Sequence, residues 1–216
     1  MAYFILTLSC TGAFFSFLGF FLGRRTDTIT RLNRLLTRQV LTDPLTGLGN
    51  HRYMHDHFKI EFRKHRTNRQ PISCLMMDLD HFKRINDGCG HPYGDYVLAS
   101  FAALVKKYIR HGDLAARYGG EEFLVILPHC DNDEVKIVGE RIRAETEKML
   151  LTHGRKRVPL TVSLGAATSW ETAGFNYPQL ISLSDKALYI AKENGRNRLI
   201  QATLGKTRKN PRTPRP

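Results

Sequence analysis

The sequence predicts a mixed α/β (α+β-like) fold, a largely antiparallel central sheet flanked by helices on both faces. Strand-like and helix-like segments alternate between residues 41 and 202. The run Leu114–Tyr118, Gly119-Gly120, Glu121–Leu127 reads as a β-hairpin, because Gly-Gly supplies the positive φ angles of a two-residue turn. A hairpin is antiparallel, so the sheet is mixed. After its two carboxylates, the second arm is apolar at nearly every position, as a central strand covered on both faces should be.

Ahead of this domain, residues 1–23 hold no charged side chain and are rich in phenylalanine and leucine. At about 1.5 Å per residue, such a helix spans roughly 30 Å, the hydrocarbon thickness of a bilayer. A cleavable signal peptide has a positive start, a shorter core and a small-residue cleavage site. Here the start has no lysine or arginine, and the segment runs straight into Arg24-Arg25. Residues 1–23 therefore read as a transmembrane anchor. The arginine excess lies on its C-terminal side, so the positive-inside rule puts the remaining chain in the cytoplasm, tethered to the inner membrane. Over residues 24–40, Ile29, Leu32, Leu36 and Val40 recur at helical spacing. This basic juxtamembrane segment has two readings of equal standing. One is a dimerising stalk; the other is a helix on anionic membrane lipid, held by Arg24, Arg25, Arg31, Arg34 and Arg38.

Asp43-Pro44-Leu45-Thr46-Gly47-Leu48-Gly49-Asn50 stops that helix, since the residue before proline leaves the helical region and the glycines turn the chain. Arg52 to about Thr67 reads as an amphipathic helix, and Ile72–Leu79 as a buried strand ending in carboxylates. His81–Asn86 opens a turn and short helix, and Gly88–Gly94 is a loop. Tyr96–Arg110 is a long helix with Val97, Leu98, Phe101, Leu104, Val105 and Ile109 on its inner face. Beyond the hairpin come a helix over Asp133–Thr152, N-capped near Asp131, and a strand over Leu160–Ala167. The last helix lies within Tyr177–Asn194 and ends at Gly195. Residues 203–216, with three prolines and five basic side chains, read as a disordered basic tail.

The formal charge of +13 invites a nucleic-acid partner, so its location matters. Arg24–Val40 contributes net +4 and Gly205–Pro216 net +5, leaving +4 for everything else. With its basicity in the flanks and no recognisable binding motif, the domain is not a nucleic-acid binder. Cys10, Cys74, Cys89 and Cys130 are scattered without metal-type pairs or a disulfide framework, in keeping with a reducing compartment. Cys89-x-His91 supplies two ligands, which do not make a zinc site.

Asp78 closes one apolar strand, and Glu121-Glu122 begin another beside two glycines. Carboxylates brought together from neighbouring strands can hold a magnesium ion on phosphate oxygens, and glycines let a ligand approach the backbone. An ordinary acidic hairpin turn accounts for Glu121-Glu122 equally well on these residues alone.

The run Arg117-Tyr118-Gly119-Gly120-Glu121-Glu122-Phe123 resembles the signature of the GGDEF family of diguanylate cyclases, in its GGEEF form. Three further blocks match in the family's order: Asp43–Asn50, Asp78–Asp87 and Asp185–Asn197. Together they cover about Leu41 to Gln201. One departure is His51, which stands where the family often has an arginine. The resemblance implies a nucleotide-cyclase-like domain over 41–202 that joins two GTP molecules into cyclic di-GMP and two pyrophosphates. It implies magnesium, or manganese in its place, and a homodimer. As metal ligands it implies Asp78, Glu121 and the Leu79 carbonyl. The catalytic pair it implies is Glu122, as candidate proton acceptor with a metal-bound hydroxide as the alternative, and Lys83. Substrate would be held by Phe82, Lys83, Gly119, Gly120, Lys192 and Arg196 at the phosphates, and by Asn86 and Asp95 at the guanine. Arg110 and Asp113, with Arg141 as a secondary arginine, correspond to the family's product-inhibition site. Asp80 is expected to face the other side and cap the following turn. The alternative within the family is an inactive domain that binds GTP or cyclic di-GMP and signals through a partner.

Overall fold

Asn50 starts the first helix, α1 (His51–Asn68), by accepting a hydrogen bond from the Tyr53 backbone N–H. The computed structural model describes residues 41–169 and 176–202. The expected anchor (1–23), juxtamembrane segment (24–40) and basic tail (203–216) lie outside the described residues. No helix among the described residues is long and apolar enough to cross a membrane.

After α1 the chain forms β1 (Ile72–Leu79), α2 (Phe82–Cys89), α3 (His91–Tyr108), β2 (Leu114–Arg117) and β3 (Glu122–Pro128). It continues through α4 (Asn132–Glu147), a small hairpin β4 (Leu151–His153) and β5 (Lys156–Val158), then β6 (Val162–Ser169), α5 (Tyr177–Glu193) and β7 (Leu199–Gln201). The main sheet has the order β2-β3-β1-β6-β7. Every pairing in it is antiparallel except β6–β7. The sheet is therefore mixed and largely antiparallel, as the sequence predicts.

β1 is buried at all eight positions, and its side chains alternate between two cores. Leu75, Met77 and Leu79 pack with α2, α3 and α4 through Phe82, Ile85, Phe101, Val105, Val135 and Ile142. Cys74 and Met76 pack on the other side with α1 and α5, through Met54, Phe58, Phe62, Leu180 and Leu188. Burying each such large apolar side chain is worth about 1.5–3 kcal/mol, so the double cover is what fixes the sheet. α5 lies directly on β6 at Gly165, where a Cβ would overlap the Ser184 carbonyl and the Leu188 amide.

Several boundaries differ from those the sequence predicts. α3 begins at His91 rather than Tyr96, because Pro92 sits in its first turn, where a missing N–H costs nothing. Gly88–Gly94 is thus the end of one helix and the start of the next, not a loop, with only Gly90 (φ 85°) breaking the helical path. α4 ends at Glu147, and Leu151 and Thr152 belong to the hairpin β4–β5, which turns at Gly154 (φ 62°). At its other end α4 carries the predicted cap in full: Asp131 and Glu134 form a reciprocal capping box.

Candidate active site

Asp78 and Glu122 face each other across β1 and β3, at the last rung of the ladder. Glu121 lies one residue outside β3, yet its carbonyl still accepts from the Leu79 N–H at 3.4 Å. The hairpin does not turn in the predicted way. Neither Gly119 nor Gly120 has a positive φ, and the ladder ends at Arg117–Phe123. The chain makes a wider loop over Tyr118–Glu121, closed by the Tyr118 N–H on the Glu122 carbonyl at 2.8 Å. Arg117 shapes it: its Nε and Nη2 donate to the Gly120 carbonyl at 2.9 and 2.8 Å, while Nη1 lies 3.5 Å from the Asp43 carboxylate. A Cβ on Gly119 would meet the Glu122 carboxylate, so the glycine lets that side chain lie over the loop. A Cβ on Gly120 would point into open space, where a ligand can approach. On the outside of this loop the Tyr118 ring stacks on His51, centroids 4.5 Å apart.

The electrostatics at this sheet end are those of crowded carboxylates. Asp78 is 7 % exposed, and burial pushes its pKa up; the Lys192 ammonium, 2.7 Å from Asp78 Oδ2, pulls it back. Asp80 raises it further and Arg196 lowers it. Glu121 is likewise pushed up, first by burial and then by Asp78, with Lys192 opposing. Two like charges near one point, neutralised by a single ammonium, leave room for further positive charge. The donors are hard oxygens from two strands, with the Leu79 carbonyl beside them, which is the chemistry a magnesium ion selects. Among the described residues no group of three or more His, Cys, Asp and Glu side chains could hold a metal. A cation here would rely on Asp78, Glu121, the main chain, and oxygens from outside the protein.

The remaining predicted residues fall into three places. Phe82 and Lys83 open α2, behind His81 in the left-handed region (φ 58°), and no side chain caps that N-terminus. Its first amides are therefore available to an anion, with Lys83 exposed beside them. Asn86 and Asp95 flank the α2–α3 corner; Asn86 Oδ1 lies where a Cβ on Gly94 would be, so the two helices meet closely. Arg110 and Asp113 form a tight turn ahead of β2, with the Arg110 N–H on Asp113 Oδ2 at 2.6 Å. Burial raises the Asp113 pKa, and Arg110 lowers it. The Arg110 side chain is 67 % exposed and lies 3.7 Å from Glu134 of α4, the helix that also carries the exposed Arg141.

Asp80 overturns its expectation. It does not cap the following turn but accepts from Thr161 Oγ1 at 2.8 Å, Ser163 Oγ at 2.7 Å and the Asn197 N–H at 3.1 Å. At 5 % exposure it is buried among donors that sequence spacing does not bring together. Arg117 was also missed as a loop clamp. Its adjacency to the glycines was the only available signal.

Residues 40–198 match the family model described as "Diguanylate cyclase, GGDEF domain". The chain is 38% identical over 160 residues to "Probable diguanylate cyclase DgcT" of Escherichia coli, covering 73% of this chain and 35% of that protein. It is 39% identical over 163 residues to "Response regulator PleD" of Caulobacter vibrioides, covering 74% and 36%. It thus spans about a third of the length of these curated relatives. The coiled coil and GGDEF domain of DgcB from Caulobacter crescentus, solved with c-di-GMP, superposes with a TM-score of 0.72 at 30% identity, covering 83% of this chain and 98% of that one. The active GGEEF domain of a diguanylate cyclase from Vibrio cholerae superposes with a TM-score of 0.68 at 31% identity, covering 71% and 97%. On the family model over residues 40–198 and on these identities, the chain belongs to the GGDEF family of diguanylate cyclase domains.

Proposed function

We propose that this domain is an active diguanylate cyclase that condenses two GTP molecules into cyclic di-GMP and two pyrophosphates as a homodimer. The observation that carries the proposal is the meeting of Asp78 and Glu121 at one sheet end, with Lys192 bound to Asp78. Magnesium held by Asp78, Glu121 and the Leu79 carbonyl supplies positive charge to the triphosphate, and manganese suits the same oxygen donors. The free amides of Phe82 and Lys83 and the Lys83 ammonium hold its terminal phosphates. Lys192 and Arg196 add fixed positive charge, and Gly119 and Gly120 let the nucleotide lie against the backbone. Asp95 accepts from guanine N1 and N2, and Asn86 donates to the base.

Two domains meet face to face about a two-fold axis, each carrying one GTP. Glu122 takes the proton from a ribose 3′-hydroxyl as that oxygen bonds to the α-phosphorus of the facing GTP. The bridging α–β P–O bond breaks and pyrophosphate leaves; the reciprocal step closes the ring. Cyclic di-GMP held by Arg110, Asp113 and Arg141 feeds back by favouring an arrangement in which the two sites cannot face each other. Residues 1–23 anchor the chain in the inner membrane with the domain in the cytoplasm.

The full chain, supplied with GTP and magnesium, should release two pyrophosphates per cyclic di-GMP, with specific activity rising as enzyme concentration rises. GTP binding without product under those conditions would favour the inactive signalling domain instead. Fractionation should find the chain in the inner membrane. A periplasmic chain cleaved near Gly23 would show a signal peptide.

A further inference from the structure

The turn after α5 is held in a left-handed backbone conformation by contacts from two sides, the end of β1 and helix α4. Gly195, Arg196 and Asn197 have consecutive positive φ angles of 102°, 62° and 45°. The cost of that conformation falls mainly on Arg196, since asparagine tolerates the left-handed region, and the Arg196 N–H is held on the Ala191 carbonyl at 3.0 Å. The Asn197 N–H donates to buried Asp80 at 3.1 Å, and Asp80 is itself fixed by Thr161 and Ser163. From α4, Arg143 Nη1 donates to Asn197 Oδ1 at 3.1 Å, and Asn197 Nδ2 donates to Glu147 Oε1 at 3.0 Å. Arg143 is in turn oriented by Glu140 at 2.8 Å and Glu147 at 3.1 Å. None of these residues is within hydrogen-bond distance of the Asp78 carboxylate. What the turn does present there is Arg196, whose charge acts on Asp78 from an exposed side chain.

We propose that Arg143 and Asn197 are positioning residues: they lock the left-handed turn so that Arg196 is aimed at the triphosphate before nucleotide arrives. The proposal rests on the cyclase reading of the site. A guanidinium held in place loses less freedom on binding phosphate than one on a mobile turn, so the clamp is read out as affinity and rate. Arg143 and Asn197 touch no substrate in this scheme and act only through residue 196.

The test is a double-mutant cycle on the full chain, using Arg143→Met, Asn197→Ala and Arg196→Ala. The first readout is affinity for a GTP analogue with a methylene between its α- and β-phosphates, by calorimetry. The second is the rate of cyclic di-GMP synthesis. Arg143→Met and Asn197→Ala should each weaken analogue binding about five- to tenfold, and together no more than either alone. In the Arg196→Ala background neither should change affinity by more than about twofold, a coupling that general destabilisation would not produce. Asn197→Gly, which tolerates the left-handed angle without the clamp, should recover part of the loss. Equal losses in the wild-type and Arg196→Ala backgrounds would overturn the positioning role while leaving the cyclase reading intact. A wild-type chain that binds the analogue but makes no product from GTP would instead overturn the cyclase reading, and this proposal with it.

Discussion

Two acidic turns of this domain use the same residue types to opposite ends. At the Asp78–Glu121 end of the sheet, burial and neighbouring carboxylates push both acids up, Asp80 acting on Asp78 and Asp78 on Glu121, with the Lys192 ammonium opposing at 2.7 Å from Asp78. At the Arg110–Asp113 turn a single carboxylate accepts its own turn's N–H, and the arginine is largely exposed with only Glu134 nearby. The first region carries more negative than positive charge, an arrangement suited to a ligand that brings positive charge. In the second, burial also raises the lone Asp113 carboxylate, but its own turn's N–H and the Arg110 charge oppose that shift, and the arginine is largely exposed. A site for chemistry is recognisable by its electrostatic discomfort. A site for docking is recognisable by side chains that lose little when they move.

The largest effect should come from relieving that discomfort. Burial, with Asp80 adding to it, gives Asp78 a folded-state pKa above its unfolded value despite the opposing Lys192 and Arg196 charges. An acid shifted upward favours the fold below the unfolded pKa and loses that contribution as pH rises through the folded pKa. Without divalent cation at pH 7, Asp78→Asn should therefore melt higher than wild type while losing synthesis by orders of magnitude. Added magnesium should raise the melting temperature of wild type but not of the variant. Unfolding curves with and without magnesium check both statements, and a variant that melts lower would break the comparison at its first term.

Next in size is the Arg110–Asp113 turn, where cyclic di-GMP is proposed to bind. Arg110→Ala removes charged donors worth roughly 1.5–3 kcal/mol each, enough to weaken cyclic di-GMP binding at least tenfold. Synthesis should start at the wild-type rate and slow later, as progress curves with calorimetric product affinities will show. Unchanged curves and affinity would mean the turn is only structural.

The two glycines sharpen the contrast within the first site. Gly119→Ala should push the Glu122 carboxylate away and lower synthesis by on the order of ten- to a hundredfold, the penalty of a misplaced catalytic group. Gly120→Ala meets nothing within 4 Å and should leave the melting temperature at the wild-type value. Any loss of GTP affinity in that variant reports ligand approach, not folding.

The smallest effect lies away from both turns. His65 is 3 % exposed, its Nδ1 has no partner, and its ring is 4.4 Å from that of His129. Burial lowers its pKa most, His129 adds to this, and Glu61 opposes it. Below the unfolded histidine value of about 6.5 the unfolded chain takes a proton that the folded chain refuses, so stability should fall as pH drops. His65→Phe should flatten that slope between pH 7 and 5 in denaturant titrations; an unchanged slope would place its origin elsewhere.

Which of these features was legible depended on how local their causes are. β1 was predicted over its full Ile72–Leu79 extent, because a doubly covered strand writes a continuous apolar run. The Asp131 cap followed from neighbouring residues in the same way. β7 is three residues paired in parallel with β6, and nothing within Leu199–Gln201 announces a partner so far back in sequence. β4 and β5 escaped for a related reason: Thr152, His153, Lys156 and Arg157 are exposed, so no alternation marks them. The signature loop was located correctly but given the wrong geometry. Gly-Gly fits a two-residue turn until Arg117 claims the Gly120 carbonyl. Asp80 was misjudged because its three donors come from Thr161, Ser163 and Asn197, distant in sequence and gathered only by the fold.

The most direct test of the central claim sets wild type beside Glu121→Gln, which keeps the side chain's size and removes one cation-binding charge. Both full chains are given GTP and magnesium, and cyclic di-GMP is quantified against a folding control by circular dichroism. Wild type should synthesise product, and a folded Glu121→Gln should fall by orders of magnitude. Wild-type synthesis retained in the variant would contradict the assignment of this sheet end as the cation and triphosphate site.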